Sequence, residues 1–247
     1  MAEVTAVIPV RYGATRFPGK ALAPILDKPM IHWVVEGVSQ AKLIKKIIVA
    51  TDDQRIADSC VDLPVEVVMT DSELASGSDR VFAATQSDSS EYIINIQGDE
   101  PLIQASLIDL MAESMLASED WEMFTLGREM NSVALENVNT AKIVLNNQNQ
   151  ALYFSRFPIP YSRVKNDEGA VSACLKHIGI YGYKKEFLKE FCQAPVAEIE
   201  KMEGLEQLRA LYLGARIKVL KVDYDSWGVD TPEDVEVVEK RLRERNG

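Results

Sequence analysis

Arg11, Arg16 and Lys20 place three cations within ten residues, with Gly13 and Gly19 between them, in a 247-residue chain of net charge −11. The segment Arg11-Tyr-Gly-Ala-Thr-Arg16-Phe-Pro-Gly-Lys20 is neither G-x-x-x-x-G-K-[ST] nor G-x-G-x-x-G, so the ATPase and dinucleotide readings lose support. Glycines let a loop turn sharply and bring backbone N–H groups to a ligand. Guanidinium forks and a lysine point charge match a triphosphate. A solvated basic loop is the plainer alternative. Position argues against it: the segment follows an apolar run, Val4–Val10, and open α/β sheets bind ligands at the carboxyl ends of strands. Two acids supply a second chemistry. Asp99 closes the run Asn95-Ile-Gln97-Gly-Asp99-Glu-Pro101, and Asp230 stands in Val229-Asp-Thr-Pro-Glu-Asp234. Two carboxylates with phosphate oxygens are how proteins hold Mg²⁺, which keeps several waters. Asp230, just before Thr231-Pro232, fits the entry of a helix equally well.

A third group of residues suits a hydroxyl-rich, anionic ligand. In His177-Ile-Gly-Ile-Tyr181-Gly-Tyr183, a period of two puts His177, Gly179, Tyr181 and Tyr183 on one face and the isoleucines on the other. The first face offers an imidazole and phenols around a small residue, which are hydrogen-bonding partners for a polyol. A structural histidine among aromatics is the alternative. Arg156 ends the strand-like run Ala151–Ser155; an arginine beside apolar residues needs an anion, either a substrate carboxylate or a neighbouring acid. Glu206 and Gln207 lie beside the apolar stripe of Met202, Leu205, Leu208 and Leu211, at a groove edge or on a solvated helix face. His32 reads as structural.

These residues need a scaffold. Buried strands are predicted over Val4–Val10, Lys46–Thr51, Val65–Met69 and Tyr92–Ile96, with helices over 30–38 and 79–85 between them and another over 102–116 after the last. Asp52-Asp53 caps a further helix. This alternation predicts an α/β fold, an open and mostly parallel twisted sheet with helices on both faces. The second half is less regular. Strands are predicted over 123–127, 142–145, 151–155 and 177–183, a turn at Asn146–Asn149, a polar mobile loop at 164–171, and helices over 198–213 and 232–243. The whole chain, 1–247, reads as one domain with an inserted antiparallel subregion over about 140–190. Negative charge argues against nucleic-acid and anionic-membrane partners. Three scattered cysteines, with no C-x-x-C pair and no targeting segment, point to a cytoplasmic protein with reduced thiols.

The motifs IPVRYGATRFPGKAL, ATDD, SGSDR, NIQGDEP, ALYFSR, LKHIGIYGY, LEQLR and GVDTPED occur in this order between about Val4 and Val238. Together they resemble the 3-deoxy-manno-octulosonate cytidylyltransferases, the CMP-sugar synthetases of lipopolysaccharide assembly. The resemblance implies transfer of CMP from CTP to an acidic eight-carbon sugar, with release of pyrophosphate and with Mg²⁺ as cofactor. Pro9, Val10, Arg11, Gly13, Arg16 and Lys20 would then hold CTP, and Ser76, Gly77 and Arg80 would read cytosine and ribose. Asp99 and Asp230 would be the metal ligands. Gln97, Arg156, His177, Tyr181, Glu206 and Gln207 would form the sugar pocket. A homodimer joined through the inserted strands is also implied. Val10 stands where the family usually has alanine, Ser78-Asp79 where it has Thr-Glu or Thr-Asp, and Met130–Thr140 departs from its usual acidic segment. The 8-amino-3,8-dideoxy sugar and a sialate-type substrate are the alternatives left open.

Overall fold

The computed structural model describes residues 2–13, 16–163 and 169–246. The chain divides into two compact units: Met1–Glu113 with Ser226–Gly247, and Ser114–Asp225.

The first unit carries strands β1 (Val4–Val10), β2 (Pro24–Ile25), β3 (Lys28–Pro29), β4 (Lys46–Thr51), β5 (Glu66–Met69) and β6 (Tyr92–Asn95). Its main sheet runs in the order β6-β1-β4-β5, with every pair parallel. β1 is central and almost wholly buried. Burial on both faces is why it reads as a continuous apolar run. The chain steps outward from β1 to β4 and β5, then returns to the other side of β1 as β6. Crossovers of this kind are right-handed, so the two directions place their helices on opposite faces. The reversal makes a switch point between β1 and β6, where a crevice opens at the carboxyl ends. Asp53 caps the helix Gln54–Ser59 by accepting the Arg55 N–H. The hairpin of β2 and β3 buries Ile25 in a cluster with Met30, Trp33, Leu102, Val229, Val238 and Leu242. That cluster joins the first helix, Met30–Ser39, to the last, Pro232–Asn246, and so fixes where the chain delivers Asp230.

The second unit carries β7 (Met123–Arg128), β8 (Lys142–Leu145), β9 (Ala151–Ser155), β10 (Cys174–Lys184) and β11 (Ile217–Lys221). Here β11 pairs with β7 in parallel, while β7–β10, β10–β8 and β8–β9 are antiparallel. β8, β9 and β10 fall within the 140–190 range expected to be inserted, while β7, antiparallel to β10, precedes it. In the β8–β9 turn the Asn146 side chain accepts the N–H groups of Gln148 and Gln150, and Asn149 has φ 58°. Of the loop expected over 164–171, residues 164–168 lie outside the described residues, and Gly169–Ser172 is a short helical turn.

The helix expected over 198–213 is instead two, Glu198–Glu203 and Gln207–Tyr212. Gly204, at φ 60°, ends the first in a left-handed cap. The apolar period does not pass through this break, and Met202 is 87% exposed rather than part of a stripe. The strand β11 and the helix Lys185–Gln193 are additions to the elements read from sequence.

Candidate active site

At the carboxyl ends of β1 and β6, within the first unit, lies a cleft of about 410 Å³, a size usual for small-molecule sites. Pro9, Val10, Arg11, Arg16, Lys20, Ser76, Gly77, Arg80, Asp99 and Asp230 line it, and so does Gln97. Gly13 does not line it; it is exposed in the loop leading away. The loop is closed at its base by Gly19 N–H donating to the Tyr12 carbonyl at 2.8 Å. A 3₁₀ turn, Lys20–Leu22, then returns the chain to the cleft. Gly98 is required by close approach: a Cβ there would lie 2.8 Å from Val10 Cγ2 and 3.0 Å from the Pro9 carbonyl oxygen. The turn after β6 therefore sits directly on the end of β1, which brings Asp99 to the cation loop.

The charges converge. Lys20 Nζ donates to Asp99 Oδ2 at 2.5 Å, to Asp230 Oδ1 at 3.4 Å and to the Val229 carbonyl at 3.0 Å. Arg16 pairs with Asp230 Oδ2 at 2.9 Å. Arg11 lines the cleft without a carboxylate partner among the described residues. The helix-entry role expected of Asp230 as an alternative belongs to Asp234. Its Oδ2 accepts the N–H groups of Asp230 and Thr231 and the Thr231 hydroxyl, at 2.9, 2.8 and 3.1 Å. The Asp230 carboxylate is thus left to the cleft. Among the described residues no group of three or more His, Cys, Asp or Glu is placed to hold a metal. Two carboxylates converging on one ammonium fit an ion that completes its shell with water and phosphate oxygens.

Ser76 caps the helix Gly77–Ala84, its hydroxyl accepting the Asp79 N–H at 3.1 Å, and the helix N-terminus opens on the cleft. Arg80 reaches the cleft wall with its side chain buried. Its guanidinium donates to Thr70 Oγ1 and, at 3.1 Å, to Asp52 Oδ2. The other oxygen of Asp52 accepts the Tyr12 N–H at 3.2 Å. Arg80 thereby also braces the start of the cation loop, a link that sequence spacing does not reveal.

In the second unit, His177, Tyr181 and Tyr183 stack along β10, with ring centroids 5.4 and 6.1 Å apart. A β-bulge between Ile178 and Tyr181 adds two residues, Gly179 and Ile180, so the alternation of faces survives. Tyr183 is buried against Phe191 rather than offered to a ligand. The space over Gly179 is open. Nε2 of His177 shares a hydrogen bond with Thr125 Oγ1 at 3.0 Å. Burial lowers the imidazole to about 3, so it is neutral at pH 7. Burial, with the Glu206 carboxylate adding to it, raises the Tyr181 phenol. That hydroxyl donates to Gln207 Oε1 at 3.2 Å. Gln207 is buried, not on a solvated helix face, and its Nε2 has no partner among the described residues. Glu206 precedes it at the helix entry, 3.8 Å from the buried Arg209. Arg156 donates to the carbonyls of Glu203, Gly204 and Val138. Its guanidinium has no carboxylate within 4 Å among the described residues, so this half-buried cation is open to an anionic ligand.

Residues 5–217 match the family model described as cytidylyltransferase. A 3-deoxy-manno-octulosonate cytidylyltransferase of Bdellovibrio bacteriovorus is 49% identical over 97% of this chain and 98% of its own. The chain belongs to the 3-deoxy-manno-octulosonate cytidylyltransferase family. An 8-amino-3,8-dideoxy-manno-octulosonate cytidylyltransferase of Shewanella halifaxensis is 44% identical over 97% of this chain and 98% of its own. A solved CMP:2-keto-3-deoxy-manno-octonic acid synthetase, complexed with CTP, superposes with a TM-score of 0.93 at 34% identity, covering 99% of this chain and all of that one. This cytidylyltransferase therefore has the α/β fold expected from its sequence, a mostly parallel sheet extended by antiparallel strands.

Proposed function

We propose that this enzyme transfers CMP from CTP to 3-deoxy-D-manno-octulosonate, for lipopolysaccharide assembly, by attack of the sugar's anomeric hydroxyl on the α-phosphorus with loss of pyrophosphate. The observation that carries the reading is the convergence of Arg16 and Lys20 on the paired carboxylates Asp99 and Asp230, in a cleft that Arg11 also lines, at the sheet's switch point. Phosphoryl-type transfer asks a protein mainly for alignment and charge stabilisation. Arg11, Arg16 and Lys20 bind the triphosphate and stabilise the departing pyrophosphate. Ser76, Gly77 and Arg80 border the base. Asp99 and Asp230 would hold Mg²⁺, which when bound would neutralise α-phosphate charge and acidify the incoming hydroxyl. Arg156 binds the sugar carboxylate, while His177, Tyr181, Glu206 and Gln207 take its hydroxyls. Supporting the last assignment is the buried Nε2 of Gln207, unpartnered among the described residues, since a buried donor left without a bond is costly. Gln97, which lies in the wall of the nucleotide cleft, is assigned to the sugar as well.

Cys60, Cys174 and Cys192 form no disulfide, which supports action in a reducing cytoplasm. No described helix is long and apolar enough to cross a membrane.

Pyrophosphate release tests the whole reading. With CTP, 3-deoxy-D-manno-octulosonate is expected to turn over, and its 8-amino analogue, the substrate named for the Shewanella relative, is the comparison that fixes the sugar. CTP should exceed UTP, because a site that pairs an exocyclic amine rejects a base without one. Equal turnover with UTP, or none with either sugar, defeats the proposal.

A further inference from the structure

Asp99 and Glu100 are consecutive carboxylates that point to different places. Asp99 faces Lys20 in the cleft. Glu100 is buried. Its Oε1 accepts the Ser226 hydroxyl, and its Oε2 accepts the Trp227 N–H at 3.2 Å. Both contacts fasten the stretch that leads to Asp230. Gly228 passes so near that a Cβ on it would lie 3.5 Å from Glu100 Oε1. The Val229 N–H then donates to the Asp99 carbonyl at 2.9 Å. This stretch has no helix or strand of its own, and the Asp230 side chain is 49% exposed. Asp234 holds the Asp230 N–H from the helix side, and the place of the carboxylate depends equally on what holds the backbone before it.

We propose that Glu100 is a positioning residue for Asp230: by clamping Ser226 and Trp227 it fixes the second carboxylate beside Asp99, where both reach Lys20 Nζ. The inference rests on the reading of Asp99 and Asp230 as metal ligands. An ionised acceptor makes the strongest bonds to N–H and O–H donors. Partners one step removed from a metal commonly change its affinity by about 10–100-fold when lost. In Glu100→Gln one oxygen becomes an NH₂ group, which cannot accept from its neighbour, so one of the two fastenings is lost while size is kept.

The test is Mn²⁺ binding to the protein–CTP complex, followed by the electron paramagnetic resonance of free Mn²⁺, beside kcat, sugar KM and Tm. Four variants are needed: Glu100→Gln, Ser226→Ala, Asp230→Asn and the Glu100→Gln/Asp230→Asn double. Glu100→Gln is expected to weaken Mn²⁺ by about tenfold and to lower kcat with sugar KM unchanged. Ser226→Ala should move both in the same direction by a smaller factor, and it carries the test if Glu100→Gln does not fold. On the Asp230→Asn background, Glu100→Gln should add less than about twofold, because both changes act through one carboxylate. The proposal is overturned if Glu100→Gln, or Ser226→Ala in its place, lowers Tm with Mn²⁺ affinity unchanged. It is equally overturned if the Glu100→Gln factor is the same on both backgrounds. Failure of the underlying reading looks different: Asp230→Asn itself would leave Mn²⁺ affinity intact.

Discussion

Asp230 and Asp234 stand four residues apart at the head of one helix, and the structure divides two tasks between them. Asp234 takes the N–H groups of the helix entry, while Asp230 meets Arg16 and Lys20. Asp230→Asn is expected to lower turnover by about 100-fold or more with Tm little changed. Asp234→Asn should do the reverse, costing about 1 kcal/mol of stability while activity stays within a few-fold; steady-state assays and thermal melts on both variants check this. For the Asp234 carboxyl, burial pushes upward, but the N–H groups of Asp230 and Thr231 prevail and hold it below the usual range. Its stabilisation is thus present above about pH 4 and lost as pH falls through its lower folded value. His177 works on a different window. Burial holds it neutral in the fold, down to about 3, whereas the unfolded imidazole protonates near pH 6.5. Stability from this group is complete above pH 6.5 and drains away as pH falls toward 3. Replacing His177 with Asn should flatten the Tm–pH curve between pH 6.5 and 4; an unchanged acid slope would sink the assignment. The charged residues of the cleft were legible because charge stands out in an acidic chain. Glu100 and Asp52 were not, since nothing in their spacing distinguishes a carboxylate that binds backbone from one that binds ligand.

Elements show why some features could be read and others not. β1, β4 and β6 are parallel strands buried enough to leave apolar runs in the sequence, and β5, though also within a residue of its expected place, is not the buried strand expected there: it lies at the sheet edge with Glu66 and Met69 exposed. Across the second unit the pattern weakens. Gly204 interrupts a period that looked continuous, because a left-handed cap followed by a new turn can keep leucines at nearly helical spacing. The two-residue bulge in β10 is invisible to alternation, as it preserves parity. The constraint on Gly98 is the contact with Val10 and Pro9, which exists only once β6 lies beside β1. That contact is testable. Gly98→Ala should cost about 1–3 kcal/mol, the usual penalty of overpacking, and should weaken CTP binding because Asp99 moves with the turn. Adding Val10→Ala removes the 2.8 Å contact but leaves the Pro9 carbonyl at 3.0 Å. The double variant should therefore recover only part of the loss. Full recovery, or no loss in the single variant, in denaturant titrations and CTP calorimetry would show that the strand end yields freely.

On the scale of the whole molecule, the nucleotide cleft is built from the first unit alone, whereas Arg156, His177, Tyr181 and Gln207 belong to the second. Arg156→Ala should accordingly raise sugar KM, by the roughly 1.5–3 kcal/mol of a charge-assisted contact, with CTP affinity held. The same division allows the proposed homodimer to be tested without touching the nucleotide cleft. β9 pairs in the sheet with β8 alone among the described residues, which leaves it an edge strand. Leu152 on it is 55% exposed, and Phe157 just beyond it is 71% exposed. Edge strands are normally blunted by charge or covered, because their free backbone groups recruit another chain. An apolar edge in a protein of net charge −11 instead suits a self-complementary contact, where the same patch faces itself across a two-fold axis. Light scattering should give twice the chain mass for the wild type at micromolar concentration. Leu152→Glu places two like charges against each other in such a contact, and should yield a monomer that still binds CTP. A monomeric wild type, or a Leu152→Glu protein that remains dimeric, removes β9 from the interface.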